Sequence, residues 1–185
     1  MRLDLFSIPI FIDNIDTSKI NLTNKNFEKT WNSQTPSSFN FENTLDEDSF
    51  NYLFTIIGKS LSSYFKERCK IELLNIWENR YHNNDFQEKH CHPQAHFSFI
   101  IYKEVIEGKT IFFNPAINLI ESYYPAPYFF NKTNFFQLEF LPKCRKDQIV
   151  IFPSFLEHMV KRTNNSVTIS GNVTIHPITH NQDDN

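Results

Sequence analysis

The sequence predicts a mainly β fold, a sandwich or barrel of short strands with one amphipathic helix packed outside. Three observations carry this prediction. A single strong helical period occurs in the first third of the 185 residues. From residue 70 onward, short β-prone runs follow one another, each bounded by turn residues. No internal repeat or composition shift marks a linker, so one domain spanning 1–185 is expected. Within it, residues 1–69 would supply a strand, a loop and the helix, 70–176 the β core, and 177–185 a polar tail.

The elements follow in order. Residues 3–12 read as an opening strand, and Pro9 pushes it to a sheet edge because proline donates no ladder hydrogen bond. Residues 13–43 are polar and weakly periodic, a loop with one short helix expected around Asn24–Trp31. Thr44-Leu45-Asp46-Glu47 has the spacing of a capping box. It precedes Phe50, Leu53, Phe54, Ile57, Leu61, Tyr64 and Phe65, whose spacing predicts a helix over about 46–68. Gly58 weakens that helix slightly. The β-prone runs are Ile71–Trp77, His96–Tyr102, Lys109–Asn114, Phe135–Leu141, Gln148–Phe152, Glu157–Arg162 and Val167–His176. Glu107-Gly108 separates two of them closely enough for a hairpin. The aromatic stretch Asn118–Asn134 reads either as a lid over a pocket or as an ordered surface loop.

Composition excludes several function classes. The net charge of −3, with 18 Lys and Arg scattered along the chain, offers no basic patch for nucleic acid or an anionic membrane. No apolar run approaches the roughly 18 residues of a membrane span, and the first residues lack a secretory pattern. Three widely spaced cysteines make no disulfide framework, so a reducing cytoplasm is expected. With 20 Phe and only 3 Gly, the composition reads as a bias of the source, such as an AT-rich phage or bacterial genome. Nothing fixes the oligomeric state, and a homodimer is admitted.

The chemistry concentrates in His90-Cys91-His92-Pro93 and, far downstream, Phe152-Pro153-Ser154-Phe155-Leu156-Glu157-His158. Residues two apart on a strand share a face. Two imidazoles on one face, joined by a third from another strand, make a facial site that leaves metal positions open to substrate or O2. A structural zinc site would instead be closed by four ligands, usually including cysteine. Cys91 should point to the opposite face as a small buried filler.

These residues resemble the 2-oxoglutarate/Fe(II)-dependent oxygenases of bacteria and tailed phages. The resemblance runs through Asn75-Ile76-Trp77, His90-Cys91-His92-Pro93, Ser98 and Tyr102, then Gly108, Phe112 and Asn114-Pro115, and finally Ile151 through Val160. It covers roughly residues 70–176, and the late F-P-S-x-L-x-H-x-V piece is its most specific part. It implies a double-stranded β-helix, Fe(II), 2-oxoglutarate as cosubstrate, and O2. By position, His90 matches the first ligand, His92 falls where a carboxylate usually sits, and His158 matches the distal histidine. Tyr102 would bind a 2-oxoglutarate carboxylate.

Two departures stand out. Histidine in place of the carboxylate leaves an Fe(II) site dicationic, unless Asp85, Glu88 or water completes the shell. The arginine expected to anchor the far carboxylate of 2-oxoglutarate reads Ser166. An unpaired carboxylate in a semi-buried pocket is costly, so Lys103, Arg162 or Lys109 would have to replace it. Three readings follow. The first is a hydroxylase of this family, acting on a protein side chain, a small metabolite or a modified nucleobase, the last least favoured by charge. The second is a cupin-like three-histidine dioxygenase that does not use 2-oxoglutarate. The third is a barrel with a vestigial site.

Overall fold

The computed structural model describes residues 7–24, 26–29, 35–65, 68–116, 118, 137–163 and 165–178. Among them the strands are β1 (Phe11–Asn14), β2 (Glu28–Lys29), β3 (Pro36–Ser37), β4 (Cys69–Tyr81), β5 (Asp85–His90), β6 (Phe97–Glu104), β7 (Thr110–Phe113), β8 (Glu139–Phe140), β9 (Gln148–Pro153), β10 (His158–Thr163) and β11 (Ser166–Pro177). A larger sheet has the order β1-β9-β6-β11-β4-β3-β2, and a smaller one β5-β10-β7-β8. Neighbouring strands are antiparallel throughout. From β4 onward the chain passes back and forth between the sheets, so the architecture is a double-stranded β-helix, a jelly roll. The expected β class and outer helix are both present.

The helix α1 (Glu47–Ser62) buries Leu53, Ile57 and Leu61, one residue per turn along a single stripe. That stripe packs on one face of the larger sheet, against Ile76, Phe99, Ile101, Ile151 and Ile169 among others. Its cap is Asp46, whose carboxylate accepts the Ser49 amide at 2.8 Å. The expected capping box at Thr44 is therefore two residues early, and Thr44 Oγ1 instead pairs with Thr23 Oγ1. The helix also stops short of residue 68. The Ser62 hydroxyl donates to the Lys59 carbonyl at 2.8 Å, a local bond that competes with the helical ladder. Tyr64 and Phe65 turn edge-on to Phe97 instead.

Three further expectations change. The short helix around Asn24–Trp31 is absent from its described part, where Glu28–Lys29 is a strand. The Asn26 amide bonds the Asn24 side chain, a local turn, and the Arg80 guanidinium covers the Phe27 ring at 3.9 Å. Of the opening strand expected over 3–12, residues 3–6 lie outside the described residues; among the rest the strand begins at Phe11, after Pro9, and lies at the edge of its sheet. The hairpin at Glu107-Gly108 does not form, because β6 and β7 belong to different sheets. The link between them passes tightly over Tyr102, where a Cβ on Gly108 would lie 2.5 Å from the ring.

β5 carries the first histidine, yet its sequence Asp-Phe-Gln-Glu-Lys-His has almost no apolar signal. It is held as an edge strand by pairing with β10. The β8 region shortens to Glu139–Phe140, with 135–136 outside the described residues. Residues 119–134 of the aromatic stretch and the tail from 179 also lie outside them. Among the described residues, no helix is long and apolar enough to cross a membrane.

Between the sheets a second apolar cluster, including Ile100, Phe112, Val150, Phe152 and Leu156, fills one side of the barrel. The other side is polar. On β11, Ser166, Thr168, Ser170 and Asn172 alternate with Val167, Ile169, Gly171 and Val173. Ile169 and Val173 go to the helix-side core, while Ser166, Thr168 and Ser170 line a cavity between the sheets.

Candidate metal centre

His90 is the last residue of β5 and His158 the first of β10, and the two are directly opposite in register. His92 lies beyond the strand end, on the loop that Pro93 begins to turn. The expected sharing of one strand face by His90 and His92 is thus not how they meet. Strand geometry stops at His90, and the His92 amide is fixed instead by the Ser154 carbonyl at 2.9 Å. The three rings still converge. Their centroids are 5.0 Å (His90–His92), 4.3 Å (His90–His158) and 5.1 Å (His92–His158) apart. One nitrogen from each lies within 4.8 Å of the others.

Ring hydrogen bonds fix the tautomer of two of these groups. His90 Nδ1 lies 2.7 Å from the Glu88 carbonyl, and His158 Nδ1 lies 3.0 Å from the Leu156 carbonyl. A carbonyl only accepts, so each Nδ1 carries the proton and each Nε2 keeps a free lone pair. Burial lowers the His90 pKa. Burial, then the neighbouring His90, brings His92 down to about 4. His158, 3% exposed, is held far below the ordinary imidazole range by burial and by the other two rings. All three are therefore neutral at pH 7, the form that binds a metal. Trp77 packs against His92, and Phe112 and Phe152 against His158, which limits ring rotation. The donor set fits a divalent transition metal with imidazole ligands.

The other candidates separate clearly. Tyr102 lines the cavity and donates its hydroxyl proton to Thr110 Oγ1 at 2.9 Å. Burial raises its pKa, so the phenol stays protonated. Lys103 does not line the cavity, and its ammonium pairs with the buried Glu78 carboxylate at 3.1 Å. Arg162 also lies outside, over the Phe86 ring, because the β5–β10 register shifts between Val160 and Thr163. Among the described residues, Lys109 is the one lysine or arginine lining the cavity, and it pairs with Glu107 at 2.7 Å. Ser166 lines it too, at the position where the resemblance expects arginine.

No described carboxylate joins the histidine cluster. Asp85 accepts the His82 amide, and Glu88 offers His90 only its backbone carbonyl. Cys91 is exposed rather than buried, because it lies on the loop beyond the end of β5, where strand alternation no longer sets its direction. His96 is structural, its Nδ1 accepting the Ile175 amide at 2.9 Å. The sequence reading missed Thr110 and the polar face of β11. The alternation of Ser166, Thr168, Ser170 and Asn172 with apolar residues was the available signal.

Residues 75–172, more than half of the chain, match the family model described as "Putative 2OG-Fe(II) oxygenase". The chain belongs to this oxygenase family. The match starts at Asn75 on β4 and ends at Asn172 on β11, so it takes in all three histidines. It is an enzyme type that uses Fe(II) and 2-oxoglutarate. No curated protein matches the chain. A solved oxidoreductase of the 2OG-Fe(II) oxygenase family from Burkholderia pseudomallei is similar with a TM-score of 0.51 and 11% identity, over 88% of this chain and 71% of that one. A Pseudomonas putida prolyl-4-hydroxylase gives 0.49 and 11%, over 80% and 77%. HygX from Streptomyces hygroscopicus, with nickel and 2-oxoglutarate bound, gives 0.49 and 7%, over 90% and 83%. At 11% identity, the likeness to the Burkholderia protein is one of fold.

Proposed function

We propose that this oxygenase is a hydroxylase in which His90, His92 and His158 hold Fe(II) through Nε2 and Lys109 anchors the far carboxylate of 2-oxoglutarate. The observation that carries the reading is the cluster of three neutral imidazoles opening onto a cavity that also contains Lys109. Bound Fe(II), with 2-oxoglutarate and O2, supplies the oxidation of an unactivated C–H bond, and 2-oxoglutarate leaves as succinate and CO2. The residues of the chain do the rest. Carbonyls of Glu88 and Leu156 hold two rings in the ligating tautomer. Three neutral ligands leave the metal dicationic, a charge that a dianionic cosubstrate balances. Tyr102 keeps its proton and can donate to a carboxylate oxygen in place of Thr110. Tyr81, Thr168 and Ser170 give the remaining wall neutral hydroxyls. They suit a polar uncharged substrate, such as a peptide or a small metabolite, better than a nucleic acid.

The test is an anaerobic titration of the apo-protein with Fe(II) and then 2-oxoglutarate, followed by visible absorption. A weak charge-transfer band that appears only with both is the expected result. Iron binding without the band would favour the cupin-like dioxygenase, whose specific support is the all-histidine donor set. His158→Ala should abolish iron binding, and unchanged affinity would overturn the ligand assignment.

A further inference from the structure

A chain of hydrogen-bonded side chains, buried at its inner end, runs away from the histidines and belongs to none of the roles assigned above. Ser154 Oγ lies 2.8 Å from Ser98 Oγ, Ser98 donates to Asn172 Oδ1 at 2.7 Å, and Asn172 Nδ2 donates to Asn75 Oδ1 at 2.8 Å. Ser98 spends its one proton on Asn172, so Ser154 is the donor to Ser98. Every bond then points the same way, from the turn after β9 across β6 and β11 to β4. Ser154 is 0% exposed, Ser98 1% and Asn172 5%, so water does not compete for the first two bonds.

The inner end of the chain holds both histidine-bearing loops. The Ser154 carbonyl accepts the His92 amide at 2.9 Å, and its amide donates to the His96 carbonyl at 3.1 Å. These two bonds close the loop that carries His92. Ser154 also lies within the turn Pro153–Leu156, closed by the Leu156 amide on the Pro153 carbonyl at 3.0 Å. The Leu156 carbonyl of that turn is the acceptor for His158 Nδ1. One serine thus sets the backbone position of His92 and, through its turn, the ring orientation of His158.

We propose that Ser154, anchored by Ser98, Asn172 and Asn75, is a positioning residue that fixes the separation of His92 and His158 for metal binding. The proposal rests on the three-histidine reading of the metal site. Groups that orient ligands from outside the metal's own shell typically change affinity by about 10–100-fold when removed.

Co(II) is a suitable probe, because its d–d absorption reports coordination without turnover. Wild type, His158→Ala, Ser98→Ala and Asn75→Ala are titrated with Co(II), and their metal-free forms are melted in parallel. Ser98→Ala is expected to weaken Co(II) binding about tenfold and to alter the d–d band. Asn75→Ala, at the exposed end of the chain, should weaken it by a smaller factor, about threefold, with little change in melting. If both variants bind Co(II) with wild-type affinity and spectrum, the network is structural only and the proposal fails, whatever their melting temperatures. If Ser98→Ala does not fold, Asn75→Ala decides alone. If wild type and His158→Ala bind Co(II) alike, the metal-site reading is what fails, and the proposal falls with it.

Discussion

Lys109→Met separates cosubstrate binding from both metal binding and folding. In the resting protein the Lys109 ammonium sits 2.7 Å from Glu107, with side chains 38% and 41% exposed. An ion pair that open to solvent contributes about 0–1 kcal/mol, so stability should hardly change. Inside the cavity, the same ammonium on a carboxylate of 2-oxoglutarate would make a charge-assisted bond with a net value of about 1.5–3 kcal/mol. At 1.36 kcal/mol per decade, its loss should weaken 2-oxoglutarate binding roughly ten- to a hundredfold. Methionine keeps most of the aliphatic stem, so packing is preserved. The assay is anaerobic titration of the Fe(II)-loaded protein with 2-oxoglutarate. Glu107→Gln gives the opposite arm. It removes both the competing partner of Lys109 and a negative charge lining the cavity, and should tighten binding. Wild-type 2-oxoglutarate affinity in Lys109→Met, with iron affinity intact, would refute the anchor.

Three other predictions concern stability. In the metal-free protein, His92 has a folded pKa of about 4 against the ordinary 6.5. Between those values the unfolded chain takes up a proton that the folded chain refuses, so stability falls as the pH drops from about 6.5 towards 4. The loss from His92 is about 2 kcal/mol by pH 5, with His90 and His158 adding in the same direction, and urea midpoints at pH 7.5 and 5 measure it. Equal midpoints would show that the rings are not buried as described. Gly58→Ala should stabilise by about 0.5–1 kcal/mol in urea unfolding, because a Cβ there meets nothing within 4 Å and the site is mid-helix. Gly171→Ala should destabilise by about 1–3 kcal/mol in the same assay, because its Cβ would overlap the Phe99 ring and approach the Asn75 carbonyl to 2.9 Å.

The sequence displayed the histidine cluster more fully than the scaffold around it. His90, His92 and His158 were legible because motif residues carry their own chemical signature. α1 was legible because its apolar stripe repeats with the helical period. β5 was not, since an edge strand paired on one side needs no apolar face, and Asp-Phe-Gln-Glu-Lys-His shows none. For the proposed cosubstrate anchor, the sequence offered three cations. Whether Lys103, Lys109 or Arg162 reaches the cavity depends on a register shift in β10 and on the buried Glu78, neither of which leaves a local trace. The hairpin at Glu107-Gly108 failed for a similar reason, because the turn signal cannot say which sheet the next strand joins.

β11 has a consequence for how such an enzyme can change its specificity. Its even-numbered residues Ser166, Thr168 and Ser170 face the cavity, while Ile169 and Val173 hold the sheet to the helix. The two sets are interleaved along one strand and belong to different surroundings, the cavity and the helix-side core. A library confined to positions 166, 168 and 170 would reshape the cavity wall while leaving the folding core untouched. Drift at those positions offers evolution a path to new substrates with little loss of stability.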